Sequence, residues 1–145
     1  MPTLPILKAE RRKFYNAIGV IQCPIIGADV WFTAQGFDHL INESNSTYYK
    51  TKPRLAGEQY LKLKCLEYAP EVIAKCIKVT KKRNIQKMVK GVLKDALQYE
   101  LVHEVAPGKK IRVIVEKVGN GKHKFVSIMW HDKKSKPKKR PNGRS

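Results

Sequence analysis

The clearest pattern of apolar and polar positions lies in the last third of the chain. From Lys110 to Val118 every second residue is apolar (Ile111, Val113, Val115), and the alternation resumes from Lys122 to Trp130. A period of two marks strands with one buried face. Between the two runs stands Gly119-Asn120-Gly121. Asn-Gly in that position predicts a hairpin with a type I′ turn, whose two central residues need positive φ. With Asn120 and Gly121 as the turn, Gly119 pairs with Lys122 and Val118 with His123. That register sets Ile111, Val113 and Val115 opposite Trp130, Ile128 and Val126 as one apolar face. The other face collects Arg112, Glu116, His123, Ser127 and His131, with Ile114, Phe125 and Met129 between them.

Upstream the signals are shorter. Residues 1–13 read as a poorly tied-down arm made basic by Lys8, Arg11, Arg12 and Lys13. Tyr15–Cys23 reads as a strand that Pro24 ends, and Ala28–Thr33 as a second one. Phe37, Leu40 and Ile41 share a helical stripe, which predicts a short helix over Gln35–Asn42 carrying Asp38 and His39. Asn42–Arg54 is polar throughout and reads as a loop. Helices follow over Leu55–Tyr68 and over Pro70–Lys75, where Pro70 suits the first turn. In residues 75–94, Ile85, Met88, Val89, Val92 and Leu93 recur at helical spacing. Gly91 weakens that helix and leaves a strand as the alternative. Ala96–Val105 reads as a strand that Pro107-Gly108 turns into the hairpin. The predicted fold class is α+β in a single domain: N-terminal strands and helices, then a C-terminal antiparallel β-meander of at least three strands. The domain runs from 14 to 131, between the basic arm 1–13 and a disordered basic tail, 132–145.

Charge narrows the function. The 145 residues, 42% of them hydrophobic, suffice for one core. Thirty Lys and Arg against twelve Asp and Glu give a net charge of +18. Such a surface implies a polyanionic partner, nucleic acid before anionic membrane. Two segments concentrate the charge: 75–94 has eight Lys and Arg and no acid, and 132–145 has seven against one Asp. No apolar run is long enough to cross a membrane, and the N-terminus lacks the order of a secretory signal. Three widely spaced cysteines (Cys23, Cys65, Cys76) suit neither a disulfide framework nor a zinc site, so a reducing cytoplasm is expected. The sequence holds no phosphate-cradling Gly-rich loop, no nucleophile elbow and no clustered carboxylates, so neither metal nor cofactor is expected.

Metal-free RNA cleavage fits the residues that are present. The 2′-OH of RNA is the nucleophile, and the protein must take its proton, stabilise the phosphorane and protonate the leaving 5′ oxygen. His39, Glu116 and His123 are candidates for the proton transfers, Arg112 and Ser127 for the phosphate. Tyr48 and Tyr49 can stack on unpaired bases. Arg54, Lys62, Lys82, Arg83, Lys133 and Lys134 are candidates for the RNA backbone. Each has a plainer reading. The hairpin residues form a polar outer face, His39 is the edge of an amphipathic helix, and Arg54 and Lys62 are solvated charges. Trp31 and Trp130 read as core.

The pattern resembles the Barnase–EndoU–colicin–RelE superfamily of metal-independent ribonucleases, in particular its small phage and mobile-element members. The resemblance rests on Phe37-Asp38-His39-Leu40-Ile41 in a helix after a strand, then further helices, then a meander ending in Phe125-Val126-Ser127-Ile128-Met129-Trp130. It covers roughly residues 28–131. It implies a toxin or effector that cleaves tRNA, mRNA or ribosomal RNA to a 2′,3′-cyclic phosphate, with a cognate inhibitor as a further partner. It sets His39 on the wall of the cleft, Arg112 and Ser127 on the scissile phosphate, and His123 as the acid or base near the end of the meander. Glu116, His39 and His123 compete as general base. The alternative is a non-catalytic RNA- or DNA-binding protein such as a ribosome-associated factor, which needs the charge and no active site.

Overall fold

Helix α1 (Leu4–Ile18) leads into the antiparallel pair β1 (Val20–Cys23) and β2 (Ala28–Trp31) in the computed structural model of the chain, which describes residues 3–45 and 50–131. Helix α2 (Ala34–Ile41), the small pair β3 (Asn42–Asn45) and β4 (Lys50–Pro53), and helix α3 (Ala56–Cys65) follow. A short 3₁₀ turn (Leu66–Tyr68) joins α3 to α4 (Ala69–Lys75). The chain then runs as four consecutive strands, β5 (Val79–Val89), β6 (Val92–Ala106), β7 (Lys109–Val118) and β8 (His123–Trp130). The main sheet has the order β1-β2-β8-β7-β6-β5, antiparallel except where β2 meets β8. The fold is α+β, with the predicted meander four strands long.

One face of the sheet carries the core. Leu101 pairs with Val113 and Val113 with Ile128, and all three are fully buried together with Ile111, Val115 and Phe125. Leu7 and Tyr15 of α1, Phe37 and Leu40 of α2, Leu63 of α3 and Val72 and Ile73 of α4 pack on that face. Tyr15 stands at the centre, with its ring 5.4 Å from Phe37 and 5.9 Å from Phe125. Its hydroxyl donates to the Thr33 carbonyl at 2.6 Å, at the start of α2. Among the described residues no helix is long and apolar enough to cross a membrane. The three cysteines are free and buried.

Four expectations change. Residues 4–13 of the arm read over 1–13 belong to α1, as do residues 15–18 of the strand read over Tyr15–Cys23, because Leu7, Phe14, Tyr15 and Ile18 form a helical stripe against the core. A boundary between residues 13 and 14 therefore falls inside a helix. Within residues 75–94, 79–89 and 92–94 are strands and not a helix: Ile85, Lys87 and Val89 are partly buried and alternate with exposed neighbours. Lys90 (φ 51°) and Gly91 (φ 78°) supply the two positive φ values of a type I′ turn between them. The polar 42–54 stretch contains the β3–β4 pair.

The fourth change is in the hairpin itself. Its far half holds the expected register, Ile111 with Trp130 through Ile114 with Ser127. Val115 then pairs with Phe125, so Val126 is an extra residue and β8 bulges there. The bulge turns Phe125 into the core and reverses the faces of everything before it. The turn also moves: Gly119 carries the positive φ (54°), and the Gly121 N–H donates to the Val118 carbonyl at 2.9 Å. Trp130 packs at the edge of the core. Trp31 is only half-buried, with the Lys122 ammonium 3.6 Å above its ring.

α2 lies close on β8 at Gly36. A Cβ there would meet the Phe125 carbonyl oxygen at 2.6 Å and its ring at 3.1 Å, besides the Tyr15 hydroxyl. Gly36→Ala should therefore destabilise the fold by about 2 kcal/mol, as overpacking does. Gly57, in α3, has open space around its Cβ position. Gly57→Ala should be neutral or stabilising by up to about 1 kcal/mol. Thermal and urea unfolding followed by circular dichroism measure both.

Candidate active site

β8 meets β2 only at His123 and Lys124. Beyond Lys124 its free edge is covered by helices. α2 approaches it at Gly36. α3 reaches it through Lys62, whose Nζ donates to the Ile128 carbonyl at 3.2 Å and to Ser127 Oγ at 3.3 Å. Among the described residues no helix packs across the sheet face opposite the core, and strand register fixes what it displays. One row holds Lys81, Glu100, Ile114 and Ser127, and the next holds Arg83, Gln98, Glu116 and Lys124.

His39, in the last turn of α2, meets this face at its rim. A notch between α2 and the sheet is lined by Gln35, Gly36, His39, Lys87, Glu116 and Lys124. It continues into a depression of ≈ 360 Å³ that adds Lys90 and Lys122. A second depression, ≈ 340 Å³, lies toward the other end of the same face and holds Lys81, Arg83, Glu100, Arg112, Ser127 and Met129. A hydrogen-bonded line runs between the two. Arg83 Nη2 donates to Gln98 Oε1 (3.2 Å), Gln98 Nε2 to Glu116 Oε2 (2.8 Å), and Lys87 Nζ to Glu116 Oε1 (2.8 Å). Glu116 is buried, so its carboxylate depends on these two donors.

His39 titrates below the usual imidazole range. Burial is the main cause, Lys87 and Arg54 add to it, and Glu116 and Asp38 oppose it. The imidazole is therefore neutral at pH 7 and able to accept a proton. Its backbone is fixed by Arg54, whose Nε donates to the His39 carbonyl (2.9 Å) and whose Nη1 pairs with Glu58 Oε2 (3.1 Å). The Arg54 N–H closes the same junction on the Ile41 carbonyl (2.8 Å). Arg54 thus caps the C-terminal carbonyls of α2 and ties them to α3.

The predicted residues separate into groups. His39 and Glu116 share the notch, and Arg112 and Ser127 share the second depression. Arg112 also pairs with Glu100 (3.6 Å) and contacts the Met129 sulfur. His123 does not join them. It pairs with Lys117 and Val30, and its ring lies 5.7 Å from Tyr99, on the core side of the sheet. The bulge at Val126 is the reason. Lys62 is 5% exposed and turned inward, its pKa pushed down to about 8 chiefly by burial, with Arg54 adding to it. Arg54 holds backbone and Glu58. Lys82 lies over the Tyr99 ring, on the face opposite Arg83. Tyr48, Tyr49, Lys133 and Lys134 lie outside the described residues. Sequence reasoning missed Lys81, Lys87, Gln98 and Lys124. Reading residues 79–89 as a strand would have found Lys81, Arg83 and Lys87 on one face.

Among the described residues no three His, Cys, Asp or Glu side chains are placed to hold a metal ion. No protein-family model, curated protein or solved structure matches the chain.

The charges around His39 make a direct test. Lys87→Gln should raise the His39 pKa, because a neighbouring cation is gone. Glu116→Gln should lower it further for the opposite reason. The His39 Cε1–H shift followed against pH by NMR reads both. As the folded pKa lies below the unfolded value, the wild type should lose stability as pH falls below about 6.5, levelling once folded His39 is protonated.

Proposed function

We propose that the protein is a metal-independent endoribonuclease that cleaves RNA by 2′-OH attack, leaving a 2′,3′-cyclic phosphate and a 5′-OH. The observation that carries this reading is the notch where neutral His39 stands beside Glu116, Lys87 and Lys124 on a strongly basic sheet face. His39 takes the 2′-OH proton. Lys124 and Lys87 stabilise the charge that grows on the phosphorane. Lys87 is also the proton donor for the leaving 5′ oxygen, and Glu116 orients its ammonium. Arg54 is a positioning residue that holds the carbonyl of His39. The order of strand, α2, further helices and meander supports the resemblance to the Barnase–EndoU–colicin–RelE superfamily, with His123 left out of the chemistry.

A binding protein without catalysis would use the same charges and have no need of His39. Incubation with total tRNA and ribosomal RNA in excess EDTA separates the two readings. Wild type should give discrete fragments with cyclic-phosphate ends. His39→Ala should slow cleavage at least about a hundredfold, the usual scale for a general base, whereas His123→Ala should stay within a few-fold of wild type. Cleavage by His39→Ala at the wild-type rate would remove His39 from the mechanism. RNA that is bound and left intact by wild type would make this a binding protein.

A further inference from the structure

The second depression is separate from the notch that holds His39. Lys81, Arg83 and Arg112 converge on it from β5 and β7, and Ser127 and Gln98 add polar side chains. Glu100 is the acid that lines it, and it is engaged by Arg112 (3.6 Å) and by Thr80 Oγ1 (2.8 Å). Arg83 leans on the neutral Gln98 amide, and Lys81 has no partner among the described residues. Cationic donors therefore remain for a ligand. The Ser127 hydroxyl accepts from buried Lys62, which leaves its own proton free to point into the depression. Arginine forks, an ammonium and a hydroxyl around one cavity are the donor set of a phosphate site.

Its distance from the notch defines the ligand. Arg112 and Glu116 are four residues apart on β7, and Arg83 and Lys87 are four apart on β5. At a rise of about 3.3 Å per residue both pairs span about 13 Å along the strands, and Arg83 and Glu116, two strands apart in one row, are about 10 Å apart across them. Either distance is longer than one internucleotide step. Both depressions open on the same face, and Gln98 with Glu116 stands between them.

We propose that the Lys81–Arg83–Arg112 depression is a second phosphodiester subsite, so that the protein takes a single-stranded nucleic acid several nucleotides long across both depressions. A dinucleotide seated at His39 does not reach it. This inference rests on the reading of the His39 notch as an RNA site, and its test uses ligands that cannot be cleaved.

The experiment is binding of fluorescein-labelled oligodeoxynucleotides, which lack the 2′-OH, measured by anisotropy over a range of salt. Dinucleotide, tetranucleotide and octanucleotide are compared on the full chain. Wild-type affinity should rise steeply once the ligand bridges both depressions. In Lys81→Gln/Arg83→Gln the octanucleotide should bind about tenfold more weakly. Its salt slope should fall by about 1.4, two cations at about 0.7 each for a single strand. The charge-matched control Lys13→Gln/Lys64→Gln, on α1 and α3, should lose much less. Equal losses in both double variants would overturn the subsite in favour of diffuse attraction. So would a loss that is the same for dinucleotide and octanucleotide. Lys81 and Arg83 are exposed on an edge strand, and an unchanged unfolding midpoint confirms that the variant is folded. If length-dependent binding holds while RNA stays intact, the nuclease reading fails and the subsite stands. If RNA is cleaved and the length dependence is absent, the subsite fails alone.

Discussion

The close contact of α2 with β8 is the constraint on which the site depends. An eight-residue helix has little stability of its own. Its place is imposed from outside: the Tyr15 hydroxyl holds the Thr33 carbonyl, the Phe125 backbone lies under Gly36, and Arg54 holds the carbonyls of His39 and Ile41. Those contacts come from α1, β8 and the segment before α3. His39 is three residues beyond Gly36, one turn along the helix, so the same contacts set its imidazole over the rim of the sheet. A side chain at position 36 would meet the Phe125 carbonyl and the Tyr15 hydroxyl, so this contact would have to shift to admit it. The geometry of the candidate site is thus a consequence of core packing.

The bulge at Val126 is the second constraint. Alternation made most of the β7–β8 pair legible, because Ile111, Val113, Ile128 and Trp130 keep a period of two on the far side of it. The bulge was not legible. Phe125, Val126, Ile128, Met129 and Trp130 all suit a strand, and nothing in their chemistry says that Phe125 fills the space beneath Gly36 while Val126 is the residue left over. Arg112 and Ser127 lie beyond the bulge, and their shared face could be read correctly. His123 lies before it, where alternation alone points to the wrong face. A single inserted residue accounts for that whole error.

The basic segment 75–94 hid its structure for a different reason. With eight cations among twenty residues, few apolar positions remain to mark a period, and those few match helical spacing as well as strand spacing. Only the Lys90-Gly91 turn and pairing with β6 resolve it. Once it is a strand, consecutive charges separate: Arg83 faces the open side and Lys82 lies on Tyr99 across the sheet. The α1 segment failed in the converse way. Its charges interrupt the stripe of Leu7, Phe14, Tyr15 and Ile18, which packs on the core. In both places high charge density obscured the apolar pattern that decides the fold.

The same cations that would draw a polyanion also set the protonation of His39. Lys87 and Arg54 lower the affinity of His39 for a proton, while Glu116 raises it and at the same time holds Lys87 in place. A bound phosphate adds negative charge to this balance and should raise the His39 pKa as the strand is seated. On the proposed reading, the imidazole is neutral in the free protein and a stronger base once a phosphate is seated. Glu116 is what keeps that balance stable without ligand, because Lys87 and Lys124 would otherwise face each other across the notch with no anion between them. Its burial and its two short hydrogen bonds give the fold a fixed negative centre, around which the cationic face is arranged.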